Sequence, residues 1–153
     1  MNLFSRTATV DPAHAVEAMG FAVEIGRYVA KATGMELGVW TVLYGAPVGT
    51  VSWSARVDSH AAMGAATATL AADAEYQRRL TEAAPLFAGP IEDLFLEFVA
   101  TAGPGRPVGD VVSIVTAGCA NGQIGAAMAW GVDIMQHVAG VTGNDVSFVR
   151  SLY

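Results

Sequence analysis

The chain has 153 residues, 53% hydrophobic and only 14% charged, and its eight Lys and Arg stand against fourteen Asp and Glu for a net charge of −6. That length buries one ordinary core, or two small ones sharing it, and that composition excludes disorder; with Lys31 as the single lysine there is no basic footprint for DNA or RNA. One cysteine, Cys119, supplies neither an internal disulfide nor a thiolate-rich zinc site, and Met1 to Arg6 lacks a secretory pattern, so a reducing cytoplasm is the expected compartment.

Leu3 to Val10 is threonine-rich and β-prone, and a strand is predicted there. Asp11 then offers a side-chain acceptor at an N-cap and Pro12 a fixed φ at the first helical position, so a helix follows. Its apolar members Val16, Met19, Phe21, Val23, Ile25, Tyr28, Val29 and Ala30 cover most of the circumference, leaving His14, Glu17, Glu24, Arg27 and Lys31 as a polar stripe. That is the pattern of a helix covered on two sides. Thr33 and Gly34 end it. Leu37 to Tyr44 and Val48 to Val57 read as strands joined in a hairpin across Gly45, Ala46 and Pro47. Asp58 and Ser59 cap an alanine-rich helix through Ala72, Asp73 restarts helical structure over Ala74 to Leu80, and Gly89 with Pro90 precede a strand from Ile91 to Val99. The order β-α-β-β-α-β, with antiparallel strands and both helices on one face, makes residues 1 to 100 a ferredoxin-like α+β unit.

After a linker over residues 101 to 109 the sequence repeats. Displaced by 109 positions, residues 1 to 44 lie over 110 to 153 without a gap. Ala18, Met19, Val23, Ile25, Val29, Ala30, Thr33 and Gly34 recur as Ala127, Met128, Val132, Ile134, Val138, Ala139, Thr142 and Gly143, while Thr7, Ala8, Leu43 and Tyr44 recur as Thr116, Ala117, Leu152 and Tyr153. Matches at helix-core positions and at the closing Thr-Gly define a partial second repeat, predicted as strand, helix, strand. The counterparts of residues 45 to 99 are absent. Either a longer two-repeat protein supplies about 55 further residues, 99 minus 44, or the final strand finds its partner elsewhere, since an unpaired apolar strand is an aggregation edge. Val111 to Val132 carries no charge and has the length of a membrane span. Its counterpart in the first copy holds Arg6, Asp11, His14 and Glu17, however, which a bilayer core excludes, and no membrane partner is expected.

The run Val51-Ser52-Trp53-Ser54-Ala55-Arg56-Val57, with Asp58 and Ser59 opening a helix and Ala72-Asp73-Ala74-Glu75-Tyr76-Gln77 after it, resembles the dimeric α/β-barrel superfamily and its NIPSNAP-like members in particular. The resemblance implies two ferredoxin-like sheets closed face to face into a barrel, from two chains or two fused repeats; this chain resembles the fused form with an incomplete second repeat. Members of that superfamily include cofactor-free monooxygenases, lactone isomerases and haem-binding enzymes, so the fold alone names no reaction.

The strand ending at Val57 alternates Val51, Trp53, Ala55 and Val57 with Thr50, Ser52, Ser54 and Arg56. The apolar set belongs under the helices. The hydroxyl and guanidinium set then lines the barrel interior, joined by Asp93, Phe95 and Glu97 if Leu94, Leu96 and Phe98 pack on the helices. Arg56 with Glu97 is a candidate buried pair; the plainer reading is a solvated face with Arg56 on the surface. Leu37, Val39 and Leu43 against Trp40, Val42 and Tyr44 make the second strand apolar on both faces, as in a closed barrel or tight dimer. Trp40 and Tyr44 are then either core or the wall of an apolar cavity with polar handles. The predicted ligand site is Trp40, Tyr44, Ser52, Ser54, Arg56 and Glu97. His14, His60 and His137 have no metal-ligand spacing, and no Ser-His-Asp grouping or phosphate loop is present, so neither metal nor cofactor is expected. Two functions follow: binding of a small apolar or aromatic molecule in the barrel, with cofactor-independent oxidation or isomerisation of it, or a non-catalytic assembly protein whose apolar faces form a homo-oligomer.

Overall fold

The computed structural model describes residues 1 to 151; Leu152 and Tyr153, and with them the last two matches of the repeat, lie outside the described residues. The chain divides into two compact units, Met1–Leu96 with residue 151, and Glu97–Arg150.

In the first unit, β1 (Asn2–Val10) leads into α1 (Ala15–Thr33) through a 3-10 turn over Pro12–His14, where the Asp11 carboxylate accepts from the Ala13 amide at 2.9 Å. α1 stops at Gly34, whose φ of 75° is open to glycine and whose amide donates to the Ala30 carbonyl. β2 (Leu37–Thr41) and β3 (Thr50–Val57) form a hairpin. α2 (His60–Ala71) starts on a Ser59 cap, α3 (Ala74–Ala83) on an Asp73 cap, and β4 (Phe87–Ala102) follows. The strand order is β2-β3-β1-β4, with β3 antiparallel to both of its neighbours, which is the ferredoxin-like arrangement.

Two boundaries differ from expectation. β2 ends at Thr41, not Tyr44, because the ladder gives way to a turn in which Gly45 and Gly49 take positive φ and the Thr50 amide donates to the Pro47 carbonyl. β4 begins at Phe87 and contains Gly89 and Pro90, because the turn Ala84–Leu86, with Pro85 inside it, has already ended the preceding helix.

The core forms where β3 meets α1. Val51, Trp53, Ala55 and Val57 are buried, and the Trp53 indole Nε1 donates to the Ala22 carbonyl at 2.9 Å. Gly26 makes room for this: a Cβ there would lie 2.9 Å from Val39 and 3.5 Å from the Trp53 ring. Phe87 meets Trp53 and Phe21 edge-on. α3 is held to α1 by polar contacts around Tyr28, whose hydroxyl donates to Asp73 at 2.8 Å, whose ring stacks on Tyr76, and which lies under the Arg79 guanidinium. Arg79 also pairs with Glu24 and Glu75, and Arg78 with Glu75 and Glu82.

In the second unit, the end of β4 is followed by an irregular stretch, α4 (Ile124–Thr142) and β5 (Val146–Ser151). The Asp145 carboxylate gathers the stretch just after β4 by accepting from the Gly105 and Arg106 amides at 2.6 and 2.9 Å, bonds that hold its pKa below the usual carboxylate value. At the displacement of 109, α1 and α4 have the same ends, and β2 falls on the first five residues of β5. The strand predicted to open the second repeat, over 110 to 119, is not formed: those residues are irregular and exposed. In the first unit β1 is flanked by β3 and β4, whereas the described residues of the second unit include no counterpart of either. A strand without a ladder leaves its amides to water, and nothing fixes it as a strand. Among the described residues no helix is long and apolar enough to cross a membrane.

Two outcomes are expected. Trp53→Ala, which empties the buried seat on α1, lowers unfolding free energy by about 3–5 kcal/mol, read from the urea midpoint. Arg78 first, and Arg79 with it, push the Glu75 carboxyl down to about 2 from its ordinary 4.5. The stabilisation is complete above the ordinary value and is lost as pH falls through the lowered one. The midpoint gap between the native protein and Glu75→Gln therefore shrinks on acidification from pH 4.5 towards 2.

Candidate functional site

The pairing of β1, β2 and β3 sorts their residues into two sets. Ala8, Arg6, Phe4 and Asn2 face the same way as Val51, Trp53, Ala55 and Val57, on the helix side; Thr9, Thr7, Ser5 and Leu3 stand opposite Thr50, Ser52, Ser54 and Arg56 on the other. Trp40, opposite Ser52, belongs to this second face. Its indole folds back along its own strand over Gly38, where a Cβ would sit 2.6 Å from the ring nitrogen, and its Nε1 donates to the Ser54 hydroxyl at 2.8 Å. The hydroxyls of Ser5 and Ser52 are 3.1 Å apart. The result is a flat-lying indole beside a row of Ser and Thr residues, of which Thr50 and Ser52 are buried, the Thr50 hydroxyl donating to the Pro47 carbonyl, while Ser5, Thr7, Thr9 and Ser54 are half-buried; the ring to stack on and these half-buried hydroxyls are what the face offers.

Three of the six residues predicted for the site are thus together: Trp40, Ser52 and Ser54. Arg56 shares their face by strand alternation, stands exposed at the far end of β3, and also lines a cleft of about 530 Å³ with Glu36, Asp58 and Ala66 beside the end of α1. Tyr44 lies beyond the end of β2, exposed in the connection. Glu97 lies in the second unit, where Arg150 Nε donates to its carboxylate at 2.7 Å.

The expected facing of β4 is reversed. Phe95 is buried against the His60 ring at 4.3 Å, and Asp93 accepts two hydrogen bonds at 2.7 Å from Arg6, which faces the helices. These contacts fix the parity of the C-terminal half of β4, beyond the left-handed Gly89, and by alternation Leu94 and Leu96 take the other face. That adds an apolar flank to the hydroxyl row. The Arg6–Asp93 pair, whose hydrogen bonds hold the guanidinium pKa above its ordinary value, and Ser5, Thr7 and Thr9 were not singled out from sequence. The alternation of Ser5, Thr7 and Thr9 with Ala8 and Val10 is the signal that would have found the latter. Of the histidines, His14 lies 3.6 Å from Glu17, His60 packs against Phe95 with the rings tilted by 42°, and His137 is exposed on α4.

The fold is that of a ferredoxin-like α+β protein, and known structures share it. A NIPSNAP domain protein from Burkholderia xenovorans is similar with a TM-score of 0.56 at 21% identity, covering 71% of this chain and 100% of its own. A NIPSNAP family protein from Agrobacterium tumefaciens gives 0.53 at 18%, over 61% and 82%. An antibiotic biosynthesis monooxygenase gives 0.50 at 9%, over 65% and 100%. At these identities the likeness is one of fold, and it agrees with the α+β ferredoxin-like architecture and the NIPSNAP-like resemblance read from sequence. No family model and no curated protein matches the chain.

Gly38→Ala is expected to lift the indole off the sheet and break the Trp40–Ser54 bond. The change costs about 1–3 kcal/mol of overpacking and shows as a red shift in tryptophan emission.

Proposed function

We propose that the face of Trp40, Ser52 and Ser54 binds a small aromatic or apolar molecule carrying one polar handle, with Arg56 at its edge favouring an anionic handle. The single observation that supports this reading is the indole laid flat over Gly38 and hydrogen-bonded to Ser54, beside hydroxyls of β1 and β3 and the apolar Leu94 and Leu96. In this reading a second sheet, from another copy of the chain, closes over the face and makes the ligand cavity, so binding and homo-oligomerisation go together. Isomerisation of the bound molecule, or its oxidation by dioxygen with the molecule itself supplying the electrons that reduce the second oxygen atom to water, belongs to the same proposal; the monooxygenase among the similar structures supports the idea by fold alone.

Calorimetric titration with 2-naphthoate, an aromatic ring with one carboxylate, tests it. Trp40→Ala is expected to weaken binding by roughly tenfold or more, about 1.4 kcal/mol, and Arg56→Met to remove the preference for 2-naphthoate over 2-naphthol. Binding unchanged in both variants would sink the ligand reading. A sedimentation profile of tight oligomers that do not respond to either compound would then favour the assembly reading.

A further inference from the structure

Because α1 and α4 share their ends at the displacement of 109, each position on α4 can be compared with one whose surroundings are complete. The stripes facing the sheet are buried in both, Ala22 and Gly26 on α1, Gly131 and Met135 on α4. The outward stripes differ. Ile25 and Val29 are 6% and 8% exposed, but Ile134 and Val138 at the same positions are 41% and 38% exposed, and Trp130, at the position of Phe21, is 57% exposed. What covers this stripe in the first unit is visible. α1 packs on α2, α3 and the turn before β4, and Ile25 and Val29 share a buried cluster with Tyr76, Ala83 and Leu86.

A second observation, independent of the helix, leads to the same missing piece. Val111–Cys119 aligns with β1, which takes β3 on one edge and β4 on the other, yet it lies exposed and, among the described residues, pairs with no strand. Both gaps correspond to one stretch that follows the first copy of the repeated segment, Thr50–Ala102, a strand–helix–strand piece with its helical part in two pieces, α2 and α3, that supplies β3, β4 and the cover of α1 at once.

We propose that Trp130, Ile134 and Val138, together with the strand-forming run Val111–Cys119, are the docking surface for one strand–helix–strand polypeptide segment built like Thr50–Ala102. Its two strands flank Val111–Cys119, and its helix lays a face of aromatic and aliphatic side chains across α4. Packing volumes narrow its sequence further. Within the second unit, Phe148 stands where the first has Val39, and Gly131 replaces Ala22 beneath the larger ring. By the same exchange, Met135 occupies the place of Gly26, the residue that makes room for Trp53. The docking strand therefore carries a residue smaller than tryptophan at the position equivalent to Trp53.

Amide hydrogen exchange on the whole chain tests this. Residue 153 corresponds to residue 44, so a second copy of residues 45 to 102 appended after it continues the register. Two extended chains are compared with the unextended one: one carries Trp53→Ala in the appended copy, the other keeps that copy intact and carries Met135→Gly. In the unextended chain Val111–Cys119 exchanges at unprotected rates. Either extension is expected to slow those amides by about 100-fold or more, and Ile134→Glu in the extended chain to restore fast exchange while the amides of β1 stay protected. Fast exchange of Val111–Cys119 in both extended chains overturns the proposal. So does protection in the unextended chain that rises with concentration, which would place a second copy on the surface. No ligand takes part, so the outcome is independent of the reading of the open sheet face.

Discussion

The seat of Trp53 on α1 is the contact on which the first unit depends. A buried indole N–H must find an acceptor, and it finds the carbonyl of Ala22, left within reach because Gly26, one turn further on, has no side chain to stand in the way. Once Trp53 is placed, the parity of β3 is settled, since a slip of one residue would turn every side chain to the opposite face. Ser52 and Ser54 must then point away from the helices, and through the pairing of β1 so must Ser5, Thr7 and Thr9. The hydroxyl face is in that sense a product of the core behind it. Phe87 packs edge-on against the same indole, and further along β4 Asp93 and Phe95 lie with the helices through Arg6 and His60.

How much could be read beforehand follows from how local each signal is. The Asp11, Ser59 and Asp73 caps, the Thr33–Gly34 stop and the alternation of β3 are written in neighbouring residues, and the structure has all of them. Trp40 with Ser54 was legible for the same reason, since two alternating strands joined by a hairpin bring their outward residues together. The facing of β4 was not, because both of its stripes mix apolar and charged residues and only the long-range contacts of Asp93 with Arg6 and of Phe95 with His60 decide between them. Glu97 is a similar case: its partner, Arg150, lies 53 positions away on β5, and carboxylates carry no mark of which guanidinium they will meet. Tyr44 was misplaced by a turn that begins three residues early. The stretch from 110 to 119 shows the limit most plainly, since it has the residues of a strand but a strand is a property of a pair.

The two helices of the repeat make the same point in reverse. Their sequences specify where each begins, where each ends and which stripe meets the sheet, and these agree to the residue. Neither sequence specifies what lies on the far side. Ile25 is covered and Ile134 is not, although both are isoleucines one turn below equivalent aromatics, so burial here belongs to the neighbours and only patterning belongs to the helix.

The long exposed stretch between β4 and α4 also has a chemical peculiarity. From Gly103 to Gln123 it contains one basic residue, Arg106, and that is followed by Pro107; it contains no aromatic residue, leucine or methionine. Irregular exposed backbone is where proteases normally enter, yet enzymes that cut after a basic residue are blocked by the following proline, and those that cut after large apolar rings find none. The segment is open in conformation and closed in sequence to both. The β-branched Val111, Val112, Ile114 and Val115 remain as sites inside the second unit, and those are the same side chains that give the segment its strand-forming character.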